Sequence, residues 1–104
     1  MISYKIIRTD KAEEQLRGII FYIAADAGNI DVALEYLDKI ETIINQLREC
    51  SSSGSNPRYS VLRKQGYKML IAEKHLVFYK VNEEEKVITV YAIVEGKTEY
   101  KNLM

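Results

Sequence analysis

The feature that most constrains this chain is a change of hydrophobic period part-way along it. Between Ala12 and Leu47 apolar residues recur every three or four positions, whereas from Tyr67 to Val94 they fall in short runs of strand length rich in β-branched and aromatic residues. The two regimes are separated by Ser51-Ser52-Ser53-Gly54-Ser55-Asn56-Pro57, whose small polar residues neither pack nor continue a helix. Helices first and strands afterwards predict an α+β fold in which the helices lie on one face of the sheet.

The elements follow from local signals. Tyr4-Lys5-Ile6-Ile7-Arg8 reads as a first strand ending at Thr9-Asp10. Asp10 with Glu13 three positions on resembles a capping box, and Ala12, Leu16, Ile19, Ile20 and Ile23 then mark one face of a helix over about 12–25. Gly28-Asn29 breaks the pattern, and Asn29 or Asp31 caps a second helix with the stripe Ala33, Tyr36, Leu37, Ile40, Ile43, Ile44 and Leu47. So short a connection makes the two helices antiparallel. Beyond the serine loop, segments 67–72, 76–81 and 86–94 read as strands joined by hairpin-length turns, and hairpin lengths make consecutive strands antiparallel. Segment 59–62 is expected to be a short extra strand or an extension. The predicted order is β-α-α-β-β-β, a helical hairpin packed on an antiparallel sheet, with residues 1–104 forming one domain.

Composition excludes several classes. The apolar runs are too short for a membrane span and no secretory pattern precedes the first strand, so a cytoplasmic protein with no membrane partner is expected. One Cys and one His leave no metal-ligand cluster and no nucleophile–His arrangement, and no phosphate-cradling Gly-rich loop is present, so neither metal nor cofactor is expected. Net charge is zero, against bulk electrostatic coating of nucleic acid, but the charge is unevenly placed. From Asp10 to Glu49 four basic residues face nine acids; from Arg58 to Lys80 six basic residues face one acid, Glu73. Arg58, Arg63, Lys64 and Lys68, interleaved with Tyr59, Tyr67 and Tyr79, form the type of set that binds phosphate by charge and bases by stacking. Alternation groups Lys68 with Leu70 and Ala72, the less apolar set, which predicts that Lys68 points away from the helices. His75 falls at a predicted turn, where it would be solvated. The Glu83-Glu84-Glu85 run is a solvated hairpin tip.

Taken together, Tyr22-Ile23-Ala24, Ala33 to Ile40, Leu62-Arg63-Lys64-Gln65-Gly66-Tyr67-Lys68-Met69-Leu70, Val77-Phe78-Tyr79-Lys80-Val81 and Ile93 to Tyr100 resemble, in order and spacing, the RelE/ParE superfamily of bacterial type II toxins. The resemblance spans nearly the whole chain and implies a cognate antitoxin. It implies one of two actions: binding DNA gyrase, as ParE-like members do, or cutting ribosome-bound messenger RNA, as RelE-like members do. The catalytic candidates on the second path are Lys64, Lys68, Glu95, Tyr100 and His75, and the phosphate- or partner-binding candidates are Arg58, Arg63, Lys64, Lys68 and Lys97. Where many relatives carry Arg after the Gly-Tyr turn this chain has Lys68, which loses the two-pronged guanidinium fork. Ala92 and Thr98 stand where relatives often have Arg, and Glu95 where a His is common. The set for RNA cleavage is therefore thinned, and the long hairpin resembles ParE more than the compact nucleases. The leading expectation is a ParE-like toxin; the alternatives are a RelE-like endoribonuclease and a degenerate, non-toxic antitoxin-binding module.

Overall fold

The computed structural model describes residues 3–51, 54–57 and 60–96. Strand β1 (Lys5–Arg8) leads into α1 (Asp10–Ala27), which is followed by α2 (Ile30–Asn45) and a 3-10 turn at Gln46–Arg48. Then come α3 (Ser60–Lys64), β2 (Lys68–Ala72), β3 (His75–Asn82) and β4 (Val87–Glu95). Thr9, not Asp10, caps α1: its hydroxyl accepts the Ala12 N–H at 3.1 Å. Asp10 and Glu13 instead sit in the first turn, where their charge suits the helix dipole, and Glu13 turns back to the Arg8 guanidinium. Gly28, at φ 64°, stops α1, and the Asn29 side chain starts α2 by accepting the Asp31 N–H at 2.9 Å.

The fold is α+β as expected, with the hairpin on one face of a four-stranded sheet ordered β1-β4-β3-β2. The meander β2-β3-β4 is antiparallel, but β1 pairs parallel to β4, Lys5 opposite Val87 through Arg8 opposite Val90, so the sheet is mixed. Hairpin turns dictate direction only between neighbours in sequence. Nothing local orients β1 against a strand at the far end of the chain.

Ala12 and Leu16 of α1 and Ile40 and Ile44 of α2 bury themselves against Ala72, Val77, Tyr79, Ile88, Val90 and Ile93. The opposite face carries a smaller core of Leu62, Tyr67, Leu76, Phe78, Ala92 and Val94. Its cover is α3, so the segment expected to be an extra strand is a helix. Among its described residues, 60–62, only Leu62 is fully buried, which one helical turn satisfies without strand pairing. Gln65-Gly66 is likewise not a hairpin turn. Gly66, at φ 90°, ends α3 with paired bonds, Tyr67 N–H to Leu62 O and Gly66 N–H to Arg63 O, in a Schellman arrangement.

One irregularity decides which side chains reach which face. Phe78 pairs with Ala92 while Tyr79 pairs with Val90, leaving Tyr91 as an extra residue in β4. Ile88 and Val90 therefore face the helices, whereas Ala92 and Val94 face the other way.

Candidate functional site

The sequence candidates do not gather at one place. Lys64 is exposed on α3 and Lys68 opens β2 opposite Tyr79. His75 and Glu95 pair with each other at the other end of the sheet, beside Ala72. The rise of a strand puts the two groups about 13 Å apart along β2. That rise exceeds a hydrogen bond with one intervening water, so the acid–base candidates and the lysines stand as two groups along the sheet. Arg58, Tyr59, Lys97 and Tyr100 lie outside the described residues. Among the described residues no cluster of His, Cys, Asp and Glu is arranged to hold a metal ion.

Several expected orientations change. Lys68 shares the side of Leu70, Ala72 and its partner Tyr79, which is the helix side, contrary to the expectation from its neighbours. The alternation holds, but Leu70 and Ala72 are small enough in number to look like a surface set while packing under the helices. Arg63 donates from its guanidinium to the Pro57 carbonyl at 2.7 Å, bracing the loop that leads into α3. Tyr79 is fully buried; its hydroxyl donates to the Ser51 carbonyl at 3.0 Å and accepts the Gly54 N–H at 3.2 Å, anchoring the serine loop.

His75 is not in a turn. It is the first residue of β3, only 8% exposed, and the hairpin turns through Glu73 and Lys74 instead. Its Nδ1 lies 2.7 Å from the Tyr36 hydroxyl, which also accepts the Lys74 N–H at 3.1 Å. The phenol oxygen thus meets two nitrogens, and the imidazole tautomer decides whether Tyr36 or Nδ1 donates the bond between them. Burial lowers the His75 pKa, an effect that the Glu95 carboxylate opposes. The group ties α2 to the end of the sheet.

The face away from the helical hairpin holds a different grouping. Gly66 positions Tyr67, the extra residue in β4 positions Tyr91, and alternation along β3 brings Lys80 to the same side as Leu76 and Phe78. The two rings meet edge to face at 5.4 Å between centroids, and the Lys80 ammonium sits 4.4 Å above Tyr67 and 5.5 Å from Tyr91. Burial, then Tyr91, pushes the Tyr67 phenol up, so it remains protonated at neutral pH. The result is a cation seated on aromatic rings, suited to contacting an anion and offering no base. Alternation from the buried Phe78 signals Lys80; the bulge that adds Tyr91 has no local signature.

The sequence model described as ParE toxin of the type II toxin–antitoxin system parDE matches residues 6–100. This chain belongs to the ParE toxin family. Among solved structures, the chromosomal ParDE system from P. aeruginosa has a chain 20% identical, with a TM-score of 0.73 over 89% of this chain and 96% of that one. The toxin–antitoxin complex RelBE2 from Mycobacterium tuberculosis has one 13% identical, with a TM-score of 0.60 over 90% and 99%. No curated protein matches the sequence. The helical hairpin of this ParE-family chain carries a further surface that its apolar stripe did not reveal. Phe21, Tyr22, Ile30, Val32 and Leu34 are all exposed, Phe21 by 73%. Beside them a hollow of about 320 Å³ runs between α1 and α2, with Leu16, Ile20 and Leu37 in its wall and Arg8, Glu13 and Glu41 at one end.

Proposed function

We propose that this chain, as one toxin domain over residues 1–104, is the toxin of a bacterial type II toxin–antitoxin pair. It acts by binding a protein target, DNA gyrase in the ParE manner, and a cognate antitoxin neutralises it in the cytoplasm. The observation that carries the non-catalytic action is the separation of His75 and Glu95 from Lys64 and Lys68. Cleavage through a ribose 2'-hydroxyl needs a base, a proton donor and cations around one phosphate. Here the imidazole has its Nδ1 committed to Tyr36, and the phenol nearest the cationic groups, Tyr67, holds its proton.

A RelE-type endoribonuclease is the second reading, favoured by one feature: Lys80 between Tyr67 and Tyr91 on the sheet face away from the hairpin. Inducing the chain alone in a bacterium distinguishes the readings. Growth arrest with gyrase supercoiling blocked in a purified assay and messenger RNA ends unchanged is the expected result. New messenger ends with supercoiling intact overturn the gyrase reading, and normal growth with both unaffected indicates the non-toxic module.

A further inference from the structure

Strand β1 ends opposite Val90 while β4 continues to Glu95, so past that point one edge of β4 has no strand beside it. The helix α1 covers the space instead. Its Gln15 side chain accepts the Ile93 N–H at 2.9 Å, and next to that bond a hollow of about 390 Å³ lies between α1 and the ends of β3 and β4. This is within the size range of small-molecule sites. Ile19, Ile23 and Ile93 give it apolar walls, and the exposed ring of Tyr22 stands at its rim.

Two features distinguish the hollow from a gap in packing. The first is Gly18, which lines it from the middle of α1. Glycine is less favourable than alanine inside a helix, yet a Cβ added here would meet nothing within 4 Å, so no neighbour in the chain requires its absence. What the missing side chain leaves is room. The second feature is polar. His75 and Glu95 are register partners, and alternation from Val77 and Ile93 turns both side chains to the helix side. His75 is 8% exposed, with Nδ1 on the Tyr36 hydroxyl and no second bond from the ring to a described residue. Among the described residues no fully buried side-chain nitrogen or oxygen lacks a hydrogen-bond partner, so Nε2 is reached from the hollow that the ring lines. Burial keeps the imidazole neutral at neutral pH. Among the described residues that line the hollow, Glu95 then carries the one charge, and it is negative.

The geometry points to a binding site for a small amphipathic cation, a primary ammonium on a compact aryl or alkyl body. The ammonium donates to the Glu95 carboxylate and to His75 Nε2, which accepts in the tautomer whose Nδ1–H donates to Tyr36. The apolar body lies along Gly18 between Ile19, Ile23 and Ile93. An anion of the same shape is repelled by the carboxylate.

The test titrates phenethylammonium into the purified, nitrogen-15-labelled full chain, with phenylacetate as the anionic counterpart. Amide shifts at Gly18, Ile19, His75 and Ile93 that saturate with a Kd of about 1 mM or lower are expected, with phenylacetate at least about tenfold weaker. Glu95→Gln should weaken the cation about tenfold and narrow the difference between the two probes. Gly18→Leu should abolish binding while its urea midpoint stays at or above the parent's, because leucine favours a helix and enters open space. That separates a filled site from a damaged fold, and Glu95→Gln keeps the result decisive if the leucine variant fails to fold. Absence of saturable shifts, shifts scattered away from the hollow, equal binding of phenylacetate, or unchanged binding in a folded Gly18→Leu chain overturns the proposal. The readout does not involve growth arrest, so the site stands or falls apart from the toxin reading.

Discussion

A buried hydrogen bond to histidine makes stability depend on pH, and the sign follows from the environment. His75 is held below its ordinary value of 6.5 by burial, so between that value and its lower folded value the unfolded chain binds more protons than the folded one. The stabilisation is complete above about 6.5 and declines as pH falls through that window, flattening below the folded pKa. Urea titrations at neutral pH and at pH near 5 should show this loss, and His75→Gln should lose less over the same range than the parent. Tyr36→Phe removes the partner of both Nδ1 and the Lys74 N–H and is expected to cost about 1–3 kcal/mol in the same measurement. The sequence placed His75 in a turn because Glu73-Lys74-His75 looks like a polar connection. Its role was not legible, since Tyr36 comes from a helix far away in the chain and only packing brings the two rings to 5.6 Å.

At the scale of elements, short-range chemistry was the most readable. The Gly28 stop and the Asn29 cap were legible because both act within one helical turn. The Gly66 position was legible as a chain reversal but not as the end of a helix, because α3 is a single turn whose one anchor, Leu62, meets a core built by three strands. Gly66→Ala is expected to destabilise by about 1–2 kcal/mol through backbone strain alone, since an added Cβ there meets nothing within 4 Å. Chemical denaturation gives the number, and the Tyr67–Lys80–Tyr91 grouping should loosen with it. Arg8 joins three elements: from β1 it pairs with Glu13 on α1 and, at 3.3 Å, with Glu41 on α2. These groups are partly exposed, so Arg8→Met should cost about 1 kcal/mol or less and become less costly as salt is raised.

For the whole molecule, the decisive contact is the one between the ends of the described chain. β4 lies between β3 and β1, so deleting residues 1–8 strips half of a central strand of its partner and removes the Ile6 packing. That truncation should abolish cooperative unfolding in a thermal melt followed by circular dichroism, a larger effect than any single substitution above. The chain's own order of amino acids determined the helical hairpin, the antiparallel meander, the loop between them and the acidic and basic halves, because periodicity, caps and turn lengths act over a few residues. Tertiary structure alone decided that β1 runs parallel to β4, that Lys68 faces the helices, and that the bulge turns Tyr91 toward Lys80. Each of these depends on which distant strand lies alongside and on the side of the sheet the helices cover, and no local free-energy preference in the sequence encodes either.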